Sequence, residues 1–313
     1  MQVIWNYDAA PQFHASLTAL ASDGIDVTVC PESDNARLFE LLPQTDVLWH
    51  CLRPVDAQLL EAAPRLRLVQ KIGVGLNTID LALAESRGIA VCNMPGTNSR
   101  AVAEHALGLM LAVLRQINRF DGDVRAGKGW QWDPQRQDAL GEISGRTVGL
   151  VGFGGVSRLL APILEAMGAE VIYTTRHPLP NDDRHQTLEQ LLAASDIVSL
   201  HVPLTEETEK LVNAERLTNM KRGAILINTA RGGLVDEAAL LDALVDGQLS
   251  GAGLDVFAAE PTPADNPLFS LSNVVLSPHV AWLTRETLER SLAVAVDNCR
   301  RLEAGGPLLH RVI

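Results

Sequence analysis

The chain has 313 residues, 47% of them hydrophobic, and its formal net charge is −12 at pH 7. Single hydrophobic cores stop growing at about 250–300 residues, so this length predicts two domains. An acidic chain without a basic stripe argues against nucleic acid as a partner. No apolar run reaches the ~18 residues of a transmembrane helix without a charge or a breaker, so we expect no membrane partner.

The start of the chain and its cysteines bear on location. The first residues, MQVIWNYDAAPQF, have no basic flank and no apolar stretch of signal-peptide length, so we expect no export. Cys30, Cys51, Cys92 and Cys299 are scattered and show no metal-ligand spacing. These features predict a cytoplasmic protein with no metal site and no disulfide framework.

Strand-like and helix-like runs alternate along the first third of the chain. Short runs containing β-branched residues are VIWNY, DVTVC, DVLWH, RLVQKI and IAVCN. Polar helical stretches such as 56–63 and 79–87 lie between them, a pattern typical of βαβ units and a parallel sheet. A long helix, SRAVAEHALGLMLAVLRQ, then begins at Ser99. It has small and apolar residues all round, which predicts burial.

A second strand series begins at Thr147. Its runs are TVGLVGFG, EVIYTT, DIVSLHV, AILIN, GAGLD and VVLSPH, and a last helix follows from about Thr284. Continuous apolar strands of this kind are typical of parallel sheets covered on both faces. The predicted fold class is therefore α/β, with two doubly wound parallel-sheet domains.

The strongest local motif is VGLVGFGGVS, which begins at Val148. Gly152 permits a tight turn, and Gly154 lets backbone N–H groups approach a pyrophosphate at the start of the next helix. Ser157 replaces the third glycine of the GxGxxG pattern but is small enough for close helix–strand packing. The strand–turn–helix context predicts a dinucleotide site. The alternative is an ordinary glycine turn.

Five further segments together resemble the D-isomer-specific 2-hydroxyacid dehydrogenase family, of the glyoxylate/hydroxypyruvate reductase type. They are GVGLNTIDLALAESRGIAVCN from Gly73, VAEH from Val102, NTARGGLVDEAALLDAL from Asn228, GAGLDVFAAEP from Gly251 and SPHVAW from Ser277. The resemblance implies a flavodoxin-like substrate domain, residues 1–97 and 284–313. A Rossmann-type dinucleotide-binding domain, residues 98–283, is inserted into it, and a homodimer forms through the cofactor domains. Trp130 and Trp132, in the loop after the long helix, are interpreted as dimer contacts; the alternative is a contact with a partner subunit's substrate loop.

The resemblance places the catalytic roles on Arg231, Glu260 and His279. An arginine suits the substrate carboxylate and polarises the carbonyl. A histidine suits proton transfer near neutral pH, and a neighbouring carboxylate keeps it protonated and oriented. Arg231 and His279 follow predicted strands, at the edge where open α/β sheets bind ligands, and Glu260 lies in a loop after a third strand. The alternative for each is a solvated loop charge.

Substrate and cofactor residues follow from the same resemblance. Substrate-binding residues are expected after two first-domain strands and beside the catalytic histidine: Leu52, Arg53, Gly73, Val74, Gly75, Arg231, His279 and Trp282, with His50 lining the same cleft. For Trp282, simple packing is the alternative. Asn77 stands where the family often has Asp. Cofactor-binding residues are expected in the glycine turn and after four strands: Gly152, Phe153, Gly154, Gly155, Val156, Thr175, Arg176, His201, Val202, Pro203, Thr208, Thr229, Ala230 and Asp255. The resemblance implies that Asp255 bonds the nicotinamide carboxamide.

The end of the strand EVIYTTRH predicts the choice of cofactor. A site that prefers NAD usually has an acidic residue there, which bonds the ribose hydroxyls and repels a 2′-phosphate. Thr175 occupies that position, and Arg176, which can clasp a phosphate, follows it. We therefore expect NADP to be preferred, with NAD possible; the alternative is a solvated Arg176 and an enzyme that accepts both.

The predicted function is hydride transfer between NAD(P)H and a small 2-keto acid, giving the D-2-hydroxy acid. Two alternatives stay open: a dinucleotide-sensing corepressor-like binding protein, and a phosphite dehydrogenase-like enzyme. Glu260, where formate-specific relatives carry Gln, argues against formate as the substrate.

Overall fold

The computed structural model describes residues 1–131 and 134–313. The chain forms two compact units, residues 1–98 with 283–313 and residues 99–282. Each unit contains one parallel β-sheet with helices between its strands, so the predicted α/β class is confirmed. No helix in the described residues is long and apolar enough to cross a membrane.

The first unit contains a five-stranded sheet in the order β2-β1-β3-β4-β5. Its strands are β1 (Gln2–Asn6), β2 (Asp26–Val29), β3 (Val47–His50), β4 (Leu68–Lys71) and β5 (Ala90–Cys92). Its first four helices are α1 (Pro11–Ala19), α2 (Asn35–Leu41), α3 (Ala57–Ala62) and α4 (Leu81–Ser86). The strand order is that of flavodoxin-like sheets, and it reverses between β1 and β3.

Local sequence signals explain where these elements begin. Every residue of β3 and β4 is buried, as expected for central strands covered by helices on both faces. The side chains of Asp56 and Asp80 accept N–H bonds from Leu59 and Leu83, which caps α3 and α4.

The second unit begins with helices α5 (Ser99–Arg115) and α6 (Ile117–Arg125). Its other helices are α7 (Gly155–Ala166), α8 (Leu188–Ala194), α9 (Ala214–Asn219) and α10 (Glu237–Val245). The strands are β6 (Thr147–Val151), β7 (Glu170–Thr174), β8 (Ile197–Leu200), β9 (Ala224–Asn228), β10 (Leu249–Leu254) and β11 (Val274–Leu276). Helix α5 was predicted to be largely buried, but the structure buries seven of its 17 residues; among these, Ala106, Leu109 and Met110 lie in a core cluster with residues of β6 and β9.

The second sheet has the order β11-β10-β9-β8-β6-β7. A single parallel bridge between Tyr173 and His185 extends it beyond β7. From β6 the chain thus moves outward to β7 and the bridge, then crosses to β8 on the other side of β6. The strand order reverses between β6 and β8, and the glycine turn follows β6 at that point.

The last helix, α11 (Arg285–Ala304), belongs to the first unit. Asn298 on α11 is fully buried, and its Nδ2 donates to Gln70 Oε1 of β4 at 2.6 Å. Its Oδ1 accepts the Leu309 N–H at 2.7 Å. A buried amide with satisfied donors and acceptors fixes α11 and the C-terminal segment on the sheet built from the first residues of the chain.

Candidate active site

Three loops of the second unit carry the predicted catalytic residues. Arg231 follows β9, Glu260 lies in the loop after β10, and His279 follows β11. These strands are parallel neighbours, so their carboxyl ends meet at one edge of the sheet. The structure brings Glu260 and His279 into direct contact there.

The Arg231 loop is shaped by its two neighbours in the motif. Asn228 Nδ2 donates to the Arg231 carbonyl at 2.8 Å, and Asn228 Oδ1 accepts the Ala230 N–H at 3.0 Å. A Cβ at Gly232 would lie 1.9 Å from the Phe257 carbonyl, so only glycine allows this close approach to the loop after β10. Burial lowers the pKa of Arg231, whereas the nearby Glu260 raises it. The charges of Arg231 and Glu260 therefore act on each other.

Glu260 and His279 form a short, charge-compatible pair. Glu260 Oε2 lies 2.6 Å from His279 Nδ1, and Glu260 Oε1 accepts the Phe257 N–H at 2.9 Å. Burial alone would raise the pKa of Glu260, but the bond from His279, the Phe257 N–H and the Arg231 charge together bring it below its usual value. With Nδ1 engaged by Glu260, Nε2 is the ring nitrogen that can exchange a proton with a bound molecule.

Asp255 holds the backbone turn that carries His279. Its carbonyl accepts the His279 N–H at 2.7 Å, and its carboxylate accepts the Val280 and Ala281 N–H groups, both at 2.9 Å. His279 has a φ of 54°, in the left-handed region that a side chain rarely adopts. Such a conformation persists only where surrounding bonds over-determine it, and Asp255 supplies three of them. Asp255, predicted to contact the cofactor, is also the buried anchor of this turn.

The glycine turn after β6 fits a pyrophosphate. Gly152 has a φ of 97°, and a Cβ there would lie 2.5 Å from the His201 carbonyl, so glycine is required. Ser157, which replaces the third glycine, is buried and donates from Oγ to the Gly152 carbonyl at 2.6 Å. Gly154 caps α7 without a side-chain hydrogen bond, and a Cβ on it would meet open space. First-turn N–H groups that no side chain caps are an anion-binding arrangement.

The remaining turn residues have structural contacts of their own. The Phe153 ring is buried and stacks on Tyr173, with centroids 3.9 Å apart. A Cβ at Gly155 would lie 2.8 Å from Ser99 Oγ at the start of α5, and Val156 packs against the adjoining core cluster. These contacts fix the turn between β6, β7 and α5.

Thr175 and Arg176 follow β7, as predicted. Arg176 is exposed, and its Nη1 lies 3.9 Å from Glu207 Oε2, which is equally exposed. A long, solvated ion pair of this kind contributes at most about 1 kcal/mol, so Arg176 can exchange Glu207 for a stronger anion.

His201, Val202 and Pro203 follow β8, and Thr208 lies in the next loop. His201 Nε2 bonds Ser199 Oγ at 2.9 Å, and burial lowers the pKa of His201 to about 4, which keeps the ring neutral at pH 7. Thr208 Oγ1 donates to the Pro203 carbonyl at 2.7 Å, so it shapes the loop. After β9, the buried Thr229 hydroxyl makes no hydrogen bond within the described part of the chain. A buried hydroxyl of this kind next to Arg231 fits a site that accepts a polar ligand group.

The predicted substrate residues of the first unit lie at the carboxyl ends of β3 and β4. Glu32 Oε1 accepts the N–H groups of Leu52, at 2.6 Å, and Arg53, at 2.8 Å. The Arg53 guanidinium bonds Asn35 and lies over the Phe39 ring, both on α2. These backbone donors and this guanidinium are therefore held by their own unit.

The loop of Gly73, Val74 and Gly75 follows β4. Met94 N–H donates to the Gly73 carbonyl at 2.8 Å, and Asn93 Nδ2 donates to the Val74 carbonyl at 3.1 Å, which orients the loop. His50, expected in the cleft, is fully buried, and burial and the nearby Lys71 lower its pKa well below the usual value. In the second unit Trp282 is also buried, and its Nε1 donates to the His279 carbonyl at 3.1 Å. The geometry of Trp282 is that of a packing residue behind His279.

The model of the D-isomer specific 2-hydroxyacid dehydrogenase NAD binding domain matches residues 107–281. The chain belongs to this family. It is 40% identical to the D-3-phosphoglycerate dehydrogenase of Mycobacterium leprae over 303 residues, which are 95% of this chain and 56% of that protein. It is 42% identical to the glyoxylate reductase of Korarchaeum cryptofilum over 260 residues, 80% of this chain and 77% of that protein. The crystal structure of a Thermus thermophilus protein, TT0316, superposes with a TM-score of 0.90 at 38% identity, covering 100% of both chains.

Membership of the family identifies residues 107–281 as an NAD binding domain of the 2-hydroxyacid dehydrogenase type. The chain spans about half the length of the phosphoglycerate dehydrogenase relatives, since the match covers 56% of the Mycobacterium leprae protein.

Several residues that support the site were not singled out from the sequence. Asn228 and Gly232 stood inside the quoted NTARGG motif, and Ser277 stood inside SPHVAW, so their positions beside the catalytic residues were a usable signal. Glu32 carried no such signal, because its bonds to Leu52 and Arg53 join residues that are 20 and 21 positions apart.

Proposed function

We propose that this protein reduces small 2-keto acids of the glyoxylate or hydroxypyruvate type to D-2-hydroxy acids and prefers NADPH. The observation that carries the proposal is the 2.6 Å contact between His279 Nδ1 and Glu260 Oε2, with Arg231 close enough to influence the pKa of Glu260. These residues would provide an anion binder and a proton donor at the same edge of the sheet as the glycine turn after β6, within one unit.

The reaction divides among the three side chains. Arg231, charged and planar, binds the substrate carboxylate and polarises the keto oxygen. His279 donates a proton from Nε2 to the oxygen as negative charge develops on it. Glu260 orients the ring through Nδ1 and stabilises its protonated form before transfer. The reduced nicotinamide, when bound, supplies the hydride to the keto carbon. In the reverse direction the neutral His279 accepts the proton.

The cofactor preference rests on the residues after β7. An acidic side chain at Thr175 would repel a 2′-phosphate, and none is present. Arg176 lies next to it and is engaged by a long surface ion pair with Glu207. A 2′-phosphate offers Arg176 stronger, charge-assisted bonds.

The assembly and location are proposed on similar grounds. Trp130 is 93% exposed, and an exposed tryptophan after α6 supports burial of this segment in a homodimer. Trp132, also expected at the dimer contact, lies outside the described residues. All four cysteines are buried free thiols, which supports a reducing compartment such as the cytoplasm.

A cofactor oxidation screen tests the proposal. Purified protein is mixed with glyoxylate, hydroxypyruvate, pyruvate or phosphohydroxypyruvate, each with NADPH and with NADH, and the loss of absorbance of the reduced nicotinamide is followed. We expect the highest kcat/KM with glyoxylate or hydroxypyruvate and NADPH, and a D configuration in the chiral product. No turnover with any keto acid would overturn the activity. Preference for phosphohydroxypyruvate would overturn the substrate class, and preference for NADH would overturn the cofactor assignment alone.

A further inference from the structure

A chain of polar side chains leads from helix α5 to the turn that carries His279. His105 Nε2 on α5 lies 2.8 Å from Ser277 Oγ, and Ser277 Oγ donates to Asp255 Oδ1 at 2.6 Å. His105 Nε2 is also 3.6 Å from Asp255 Oδ1. These residues come from α5, from the segment after β11 and from the end of β10, so the fold, not local sequence, brings them together.

Ser277, the middle residue of this series, determines the direction of both hydrogen bonds. The Ser277 hydroxyl has one proton and gives it to Asp255, so its oxygen accepts from His105. His105 therefore carries a proton on Nε2. The donors then run in one direction, from the imidazole through the hydroxyl to the carboxylate, and bonds in such chains polarise one another.

From Asp255 the same chain reaches the proton donor. The Asp255 carboxylate is fully buried and also accepts the Val280 and Ala281 N–H groups, while its carbonyl accepts the His279 N–H. The left-handed backbone of His279 depends on these bonds, since a φ of 54° is unfavourable for a residue with a side chain. A carboxylate that loses one of its donors can rotate, and the turn that it holds then loses its fixed geometry.

We infer that His105 and Ser277 are positioning residues that lock Asp255 and, through it, hold the His279 imidazole in the orientation for proton transfer. The inference rests on the proposed function, because it concerns the proton donor of that reaction. Neither residue needs to touch the substrate. Their contribution should appear in kcat, with little change in the KM of the keto acid, because proton transfer depends on distances of a few tenths of an ångström.

The test is a set of substitutions at the two positions. Ser277→Ala removes the donor to Asp255 and should lower kcat about 10-fold, the usual effect of losing a hydrogen bond to a charged group. His105→Phe keeps a planar ring but removes the N–H, and should lower kcat about 3-fold, as expected for one neutral hydrogen bond. Because the two residues act in series, the double variant should be no slower than Ser277→Ala. His105→Gln and Ser277→Thr keep the donors and should restore most of the rate.

His14→Phe is the matched control. His14 is exposed on α1 and also pairs with a hydroxyl, Thr18 Oγ1 at 3.4 Å, but that pair leads to no carboxylate within the described residues. Its replacement should leave kcat unchanged.

An NMR measurement tests the hydrogen bonds that join His105, Ser277 and Asp255 without the need for turnover. Proton–nitrogen NMR of the protein alone should show an imidazole N–H resonance protected from exchange, which is absent in His105→Phe and shifted in Ser277→Ala. The inference is overturned if kcat is unchanged in both single variants, or if the double variant shows the product of their separate effects. It is also overturned if no protected resonance depends on His105. A wild-type protein that reduces no keto acid overturns the proposed function instead.

Discussion

At the carboxyl edge of the second unit's sheet, Arg231, Glu260 and His279 stand in loops where their charges act on one another. At the same edge of the first unit's sheet, Glu32 holds the N–H groups of Leu52 and Arg53, and α2 holds the Arg53 side chain. Both sheets are parallel and doubly wound, so both present the edge at which such folds bind ligands. Under the proposed function the second edge supplies the charged groups for catalysis, whereas in the first unit such groups hold their own loops.

The largest effect should come from the proton donor. His279→Ala removes the imidazole that Glu260 orients, and kcat should fall about 10²- to 10⁴-fold because general acid catalysis is lost. Fluorescence titration should show nearly unchanged NADPH affinity. His310→Ala, at an exposed histidine near the C-terminus, is the control. A wild-type kcat in His279→Ala would show that His279 is not the proton donor, and the contrast between the two sheet edges would fail.

Substitution of Arg231 should have the next largest effect on catalysis. Arg231→Lys keeps the charge but loses the planar fork that pairs with a carboxylate through two bonds, so kcat/KM should fall about 10- to 100-fold. Steady-state kinetics with the preferred keto acid measure the effect. Full activity in the lysine variant would show that charge alone suffices and that the bidentate role is wrong.

Arg176→Ala should change the cofactor preference and leave the chemistry intact. Removal of a solvated contact to the 2′-phosphate should lower kcat/KM for NADPH about 10-fold and leave that for NADH unaltered. The ratio of kcat/KM for the two cofactors is the measurement, and Glu207→Gln, which should slightly favour NADPH, is its counterpart. If the ratio does not move in Arg176→Ala, our interpretation of the β7 end is incorrect.

Arg53 gives the sharpest contrast with Arg231. Its guanidinium is engaged on α2 by Asn35 and Phe39, so Arg53→Ala should change kcat/KM less than about 3-fold. The same assay as for Arg231 applies. A loss comparable to that of Arg231→Lys would mean that Arg53 leaves α2 and binds substrate, and the contrast between the two edges would fail.

The smallest expected effect concerns His201 and the dependence of stability on pH. Its pKa is about 4 in the folded protein because of burial, and near 6.5 when unfolded. Between those values the unfolded chain binds more protons, so this residue lowers stability as pH falls from about 6.5 toward 4 and has no effect above 6.5. His201→Gln, which keeps a polar partner for Ser199, should therefore lose less Tm than the parent over that range. Parallel Tm curves for the two proteins would contradict a neutral His201 in the folded protein.

In the second unit, local sequence motifs predicted where the glycine turn lies and where the strands end. VGLVGFGGVS forms a strand, a turn and a helix, because glycine at a tight turn leaves few other conformations. Arg231 and His279 could be placed at strand ends, because a buried apolar run ending in a polar residue marks the edge of a sheet. The contact between Glu260 and His279 came from the family resemblance, since 19 residues separate them.

In the first unit, residue patterns near the strand ends did not predict the side-chain environment. His50 was expected in the cleft because it ends a strand, yet β3 is a central strand whose last side chain is covered. Leu52 and Arg53 were expected to face substrate, and no local pattern indicated that Glu32 would hold their N–H groups.

The residue pattern by itself determined the alternation of strands and helices and the strand, glycine turn and helix of VGLVGFGGVS, because glycine conformation and apolar periodicity act at short spacing. The catalytic roles of Arg231, Glu260 and His279 came from the family resemblance and belong to the proposed function. Only the tertiary structure decided that Asp255 anchors the His279 turn, that His105 reaches it through Ser277, and that Arg53 is held on α2. Those contacts join side chains from distant segments of the sequence. Tertiary packing decides which of these polar groups come within hydrogen-bond distance of one another.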